Sequence, residues 1–152
     1  MAPKNKFTKE EMVAAALRVV REKGIDGLTA KTMADALGTS TQPVFTCFGS
    51  MDGVRQEVYA AALRVYKGYA GAGLQEEIPF LGVGMQYIRF AREEPEFYRL
   101  LFLRRREHGE FSPTEHHSAD IRRAIRETFS LTDAEADELH RHLGIYVHGL
   151  CT

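Results

Sequence analysis

The side chains best suited to recognise another molecule lie close together in residues 29–48. The amide of Gln42 donates and accepts hydrogen bonds as a pair, and this pair matches the major-groove edge of adenine. Phe45, three residues later, offers an apolar face of the kind that packs on a thymine methyl group. The chemistry that these residue types support is therefore the reading of double-stranded DNA.

Two short helices joined by a tight turn must position these side chains. Thr29 is of the type that caps a first helix, and Gly38 supplies the left-handed residue that ends it. Ser40 or Thr41 is expected to cap the second helix, in which Pro43 is tolerated because it falls in the first turn. The apolar residues keep helical spacing in both segments: Met33, Ala34, Leu37, Val44, Phe45 and Phe48. This is the spacing of a helix-turn-helix.

The rest of the chain also predicts helices and gives no convincing strand, so the fold class is all-α. Thr8 with Glu11 and Thr132 with Glu135 form capping boxes that open a first and a last helix. Further helices are predicted after Ser50 and over residues 80–93, 96–105 and 118–129, with a loop over 106–114. We expect a DNA-binding head over residues 1–53 and a helical body over residues 54–152.

Composition fits an ordinary globular protein, with 44% hydrophobic and 27% charged residues and a net charge of −1. No apolar segment is long enough to span a bilayer, and no signal peptide is recognisable, so we expect a cytoplasmic protein without a membrane partner. The head carries about one excess positive charge, and Lys4, Lys6 and Lys9 are interpreted as a basic arm or a solvated tail. Its DNA affinity should be modest and sensitive to salt.

Catalytic and metal-binding signatures are absent from the sequence. No nucleophile elbow, zinc-protease motif, P-loop or dinucleotide fingerprint occurs, so neither an enzyme nor a cofactor is predicted. His116 with His117 and His140 with His142 lack the spacing that would place two ligands on one helix face. His148 is read as a hydrogen-bonded histidine within the body, and Cys47 as an inert, half-buried cysteine.

The order of elements resembles the TetR/AcrR family of bacterial transcriptional regulators. The segment GTSTQPVF is the most specific part of the resemblance. A second block looks like the fifth and sixth helices of many members, and Val147, His148 and Gly149 resemble a motif of the eighth helix. The block contains Tyr87, Phe90, Ala91, Pro95, Phe97, Leu100 and Phe102. The resemblance implies a homodimer that binds operator DNA and responds to an unknown small-molecule effector, most often as a repressor.

Three positions depart from the family pattern in the head. Phe45 replaces a usual tyrosine, Cys47 a common histidine or tyrosine, and Met51 a frequent lysine that contacts phosphate. Each change removes a polar contact, so the remaining groups must carry more of the recognition. We expect phosphate contacts from Thr29, Lys31 and Thr46, and base contacts from Thr41, Gln42, Pro43 and Phe45. The alternative for the threonines is simple helix capping.

The body is expected to hold the effector and the dimer interface. Candidates to line a pocket are Tyr66, Met85, Phe102 and Tyr146, although such residues often just fill a core. The apolar stripe predicted to dimerise is Leu139, Leu143, Tyr146, Val147 and Leu150. Because this stripe continues to the last residue, we expect a partner subunit, further chain, or both to cover it. The competing interpretation is a small-molecule-binding or protein-interaction module whose head has weak or lost DNA binding.

Overall fold

A computed structural model describes residues 7–104 and 118–152, and within these ranges the chain forms helices and no strand. The α-helices are α1 (Lys9–Lys23), α2 (Ala30–Leu37), α3 (Gln42–Phe48), α4 (Met51–Gly73), α5 (Pro79–Glu93), α6 (Pro95–Tyr98), α7 (Ser118–Phe129) and α8 (Asp133–Cys151). A short 3-10 helix, Ile25–Gly27, follows α1. The prediction of an all-α fold is confirmed.

Local hydrogen bonds and one glycine fix the ends of α1, α2 and α8 at the residues predicted from the sequence. Thr8 and Glu11 form a reciprocal capping box at α1, and Thr132 and Glu135 form another at α8. Each box satisfies backbone N–H groups that a helix start leaves without partners. Gly38 ends α2 in the left-handed conformation, with φ 64° and ψ 41°. The chain can therefore reverse direction within four residues before α3.

The segment after Pro95 differs from the predicted helix over residues 96–105. Pro95 opens α6, as its missing N–H allows, but α6 ends at Tyr98 and continues as a π-helical turn over Arg99–Leu103. Arg104 is already extended. The predicted loop over 106–114 lies outside the described residues, as do Lys4, Lys6, His116 and His117. Lys9 is no part of a free arm, because it begins α1 and pairs with Glu57 of α4.

One hydrophobic core joins the first three helices to the body. Residues 7–53 contribute Met12, Val20, Leu28, Met33 and Val44, and the later chain contributes Val54, Val58, Tyr66, Phe90 and Phe97. All ten are buried. Helix α4 crosses the boundary predicted at residue 53, so a displacement of α4 acts directly on α1 and α3, which pack against it.

A polar contact reinforces this junction on the surface. The guanidinium of Arg21, in α1, donates to both carboxylate oxygens of Glu94 at 2.9 and 2.8 Å. The same group lies 4.7 Å from the ring centre of Phe97 in α6. A pair of parallel hydrogen bonds of this kind holds the planar guanidinium and carboxylate groups in one relative orientation. The C-terminal end of α1 is therefore fixed to the α5–α6 corner.

Helices α4 and α5 approach each other through two glycines. A Cβ atom on Gly73 would lie 2.6 Å from the backbone of Gly82 and Val83, and one on Gly82 would lie 2.3 Å from the carbonyl oxygen of Gly73. These distances are far inside van der Waals contact, so only glycine permits the crossing. No helix in the two described ranges is both long and apolar enough to cross a membrane.

Candidate functional sites

Helix α3 presents one face to solvent and buries the opposite one. Val44 is fully buried, and Cys47 and Phe48 are half-buried against the main core. Gln42 and Thr46 are exposed, as is Phe45, whose side chain is 45% accessible. Residues 42, 45 and 46 share a face because they are three and four positions apart. The predicted base-reading residues Gln42 and Phe45 therefore lie side by side on the outer face.

The threonines of the head use their hydroxyl groups differently. Thr29 accepts the backbone N–H of Thr32 at 3.1 Å and lies 3.2 Å from the hydroxyl of Thr32, so its side chain caps α2 and is already engaged at the helix start. Thr46 instead donates to the carbonyl of Gln42 at 2.9 Å. Its donor is thus already used, which weakens the expectation of a phosphate contact. Thr41 occupies the N-cap position of α3, but the predicted capping bond from its side chain is not formed, and its exposed hydroxyl has no hydrogen-bond partner among the described residues.

Few cations accompany this face. Lys31 is exposed and forms no ion pair with the described part of the chain, whereas Arg21 is held by Glu94. Pro43 is half-buried in the first turn of α3 and offers contact area without a charge. Met51, at the start of α4, is half-buried against the main core. Met51 therefore contributes packing at the position where the sequence comparison with the TetR/AcrR pattern leads us to expect a lysine.

The body forms a partly open cavity of about 600 Å³ between α4, α5, α7, α8 and the π-helical turn. Its wall is mostly apolar and includes the predicted residues Tyr66, Met85 and Phe102. The volume and character fit a small organic molecule. Tyr146, the fourth predicted pocket residue, does not line the cavity, because it lies on the outer face of α8 and is 65% exposed.

Two tyrosines and a histidine meet at one end of this cavity. The hydroxyl groups of Tyr87 and Tyr98 each lie 2.8 Å from Nδ1 of His148, and 3.4 Å from each other. Burial raises the pKa of Tyr87 and, to a smaller extent, that of Tyr98. Both phenols therefore stay protonated at neutral pH, and the hydroxyl of Tyr87 donates to that of Tyr98. The sequence pointed to His148, but its partners are distant in sequence and no spacing rule could have found them.

An ion pair and two further basic side chains stand at the other end. Asp137, in the cavity wall, pairs with Arg122 of α7. Burial lowers the pKa of the neighbouring His140, which keeps that ring neutral at pH 7. Arg141 lines the cavity, is exposed, and makes no ion pair within the described ranges. No group of three or more His, Cys, Asp or Glu residues in these ranges is placed to hold a metal ion.

Because the hydroxyl of Tyr66 is buried, we expect the protein to lose stability at alkaline pH. Burial raises the pKa of its hydroxyl from 10.0 to about 12, so the folded state keeps a proton that the unfolded chain releases. The resulting stabilisation is complete below pH 10 and is lost as pH rises through 12. One group with this shift accounts for about 2–3 kcal/mol. Tyr66→Phe should reduce the fall in the free energy of unfolding between pH 10 and pH 12 by this amount. Urea unfolding at the two pH values measures the change. The matched control is Tyr59→Phe, at a half-buried ring of the same helix.

The predicted dimer stripe on α8 divides between two faces. Leu143 and Val147 line the cavity, and Leu139 packs against a small second core. These three residues therefore face the body, contrary to their assignment to an interface. Tyr146 and Leu150 do point outward and are 65% and 61% exposed, and Ile145, at the edge of the cavity, is 67% exposed. The outward apolar surface of α8 consists of these last three residues.

The described fold is all-helical: a head in which α2 and α3 are joined by a short turn is followed by a body with a cavity large enough for a small organic molecule. Residues 80–152 match the family model described as "Tetracyclin repressor-like, C-terminal domain". The match covers α5 to α8 and so most of the cavity wall. The match, over just under half of the chain, supports a TetR-family regulator. A search of the curated proteins found none that matches the chain.

Proposed function

We propose that this chain is a repressor that binds operator DNA as a homodimer and is released by a small molecule bound in the body cavity. The observation that carries the proposal is the outer face of α3. It exposes an amide and an aromatic ring together, Gln42 and Phe45, while Val44 anchors the same helix in the core. Such a helix can enter the major groove without losing its support.

The contacts between cavity and head support the effector response. Tyr98 belongs to the cluster at the end of the cavity, and the preceding residue, Phe97, packs under Arg21 of α1. A ligand that moves Tyr87 or His148, which line the cavity and bond to Tyr98, would therefore act through Tyr98 on the attachment of α1 to α6. In a dimer, this would change the spacing of two reading helices over successive major grooves.

Dimerisation through the outward face of α8 is the second part of the proposal. Tyr146 and Leu150, with Ile145, place three large apolar side chains on one surface, which water disfavours. Light scattering coupled to size exclusion at low concentration should give the mass of a dimer. Ile145→Glu with Leu150→Glu should shift it to a monomer, and a monomer in the unaltered chain would contradict the dimer.

DNA recognition predicts different outcomes for two substitutions. Gln42→Ala should cost about 1–3 kcal/mol on the preferred duplex and little on others, because it removes a base contact. Lys31→Gln should weaken all duplexes alike and reduce the salt dependence by about one ion per subunit, because it removes a phosphate contact. Fluorescence anisotropy against duplexes selected from a random pool measures both effects. Arg92→Gln, at an exposed arginine of the body, is the matched control.

The near-neutral head favours a second function, a ligand-binding or interaction module that has lost useful DNA affinity. Lys31 is exposed with no ion pair in the described chain, while Met51 and Phe45 lack the usual polar groups. The same titration separates the two functions. If selection from a random pool enriches no sequence, and binding at low salt shows no preference, the module is the correct description.

A further inference from the structure

The cavity presents an unused hydrogen-bonding group at its inner end. Tyr66 is only 4% exposed, lines the cavity, and its hydroxyl makes no hydrogen bond within the described residues. A buried hydroxyl without a partner is unfavourable, and such groups are usually satisfied by a ligand or water. The ring of Tyr66 packs against Tyr87, with 6.2 Å between ring centres. Tyr66 therefore stands at the same end as the Tyr87, Tyr98 and His148 cluster.

His148 adds a second polar group at this end. Both phenol hydroxyl groups lie 2.8 Å from its Nδ1, and Tyr87 also donates to Tyr98 at 3.4 Å, so Nδ1 is already engaged within the cluster. The other ring nitrogen, Nε2, forms no hydrogen bond with the described part of the chain. His148 is part of the cavity wall. A ligand at this end thus meets a phenol hydroxyl and an imidazole nitrogen, and a ligand hydroxyl, which both donates and accepts, can bond to both.

The opposite end favours a negative charge. The carboxylate of Asp137 is neutralised by Arg122, and His140 is uncharged at neutral pH. Among the described lining residues, Arg141 then carries the charge that no neighbour balances, because it forms no ion pair with the described chain. Along α8, Arg141 and His148 are two turns or about 10 Å apart. Between them the wall includes the apolar side chains of Leu143 and Val147 and the backbone of Gly144.

We propose that the cavity binds an apolar monocarboxylate of medium length, with its carboxylate at Arg141 and a second oxygen at the Tyr66 and His148 end. A cationic ligand would find no unpaired carboxylate among the described residues of this wall and would be repelled by Arg141. The proposal rests on the proposed function only in treating the cavity as the effector site. Binding to the protein alone, without DNA, tests it, so its failure is distinct from a failure of DNA recognition.

The charge preference is tested with probes that share one alkyl chain. Decanoate should bind, and decyltrimethylammonium should bind at least about fivefold more weakly, as judged by isothermal titration calorimetry. Arg141→Gln should reduce decanoate affinity by about two- to fivefold, whereas Arg92→Gln should leave it unchanged. Equal or tighter binding of the cation, no measurable decanoate binding, or an unchanged affinity in Arg141→Gln would overturn the proposal.

The inner oxygen is tested with omega-hydroxydecanoate. This probe should bind at least about threefold more tightly than decanoate, because its hydroxyl satisfies Tyr66 and His148. Tyr66→Phe should remove the affinity advantage of omega-hydroxydecanoate over decanoate and leave decanoate affinity nearly unchanged. If Tyr66 only filled space, the substitution would not change this advantage. If the hydroxyl weakens binding in the unaltered protein, or the advantage survives in Tyr66→Phe, the assignment of the inner end is wrong.

Discussion

Phe90→Ala is expected to lower the free energy of unfolding by about 3–5 kcal/mol, the range for removing a fully buried aromatic side chain. Phe90 is 0% exposed and lies where the head core meets the cavity. Its ring centre is 5.4 Å from that of Tyr66 and 5.3 Å from that of Tyr69. Both neighbours are held by helix α4 and cannot close the space. Urea unfolding followed by far-ultraviolet circular dichroism measures the change.

A matched control lies on the same helix. Leu81→Ala also shortens an apolar side chain of α5, but Leu81 is 57% exposed, so the cost should stay below about 1 kcal/mol. Because Phe90 connects the head core to the cavity wall, Phe90→Ala should also weaken DNA binding at temperatures where the variant is still folded. A loss below about 1.5 kcal/mol for Phe90→Ala would show that the cluster collapses to fill the gap.

Helix ends could be predicted from the sequence because capping is a local interaction. Thr8 with Glu11 and Thr132 with Glu135 each bond within three residues, and no distant contact is needed to place them. The sixth helix was predicted wrongly for the opposite reason. Phe97, Tyr98, Leu100 and Leu101 are all buried, so apolar residues surround that segment and periodicity cannot distinguish an α-helix from a π-helical turn.

The exposed face of α3 could also be predicted from the sequence, but the hydrogen-bond partners of its hydroxyl groups could not. Helical spacing alone places Gln42 and Phe45 on one face opposite Val44. The hydrogen-bond partner of Thr46 depends on the rotamer of its side chain, whose hydroxyl donates to the carbonyl of Gln42. Threonine in a helix has this internal option as well as an external one, and its residue type does not decide between them.

The faces of α8 show why apolar type is insufficient to assign a site. Leu143 and Val147 are four residues apart and face the cavity, whereas Tyr146, one residue away from Val147, is rotated by a quarter turn or more and points outward. A sequence with apolar residues on both faces does not reveal which one meets the body. The cluster of Tyr98 with His148 was equally hidden, since 50 residues separate the two.

Gly73→Ala is expected to lower the free energy of unfolding by about 3 kcal/mol, the upper end of typical overpacking costs. The atoms that a new Cβ would meet, 2.6 Å away, belong to the backbone of Gly82 and Val83. Backbone atoms cannot rotate aside as a flexible side chain can, so α4 and α5 would have to separate. That separation would widen the cavity at Val83, which packs in the second core. Decanoate affinity should therefore fall together with stability.

Gly71→Ala provides the matched control two residues earlier in α4. A Cβ there meets nothing within 4 Å, so the substitution should stabilise the helix by about 0.5–1 kcal/mol through the lower backbone entropy of the unfolded chain. The two variants add the same methyl group to the same helix and should change stability in opposite directions. Thermal and urea unfolding of both proteins measure the difference, and equal stabilities would show that the α4–α5 crossing is not limited by contact between the two glycines.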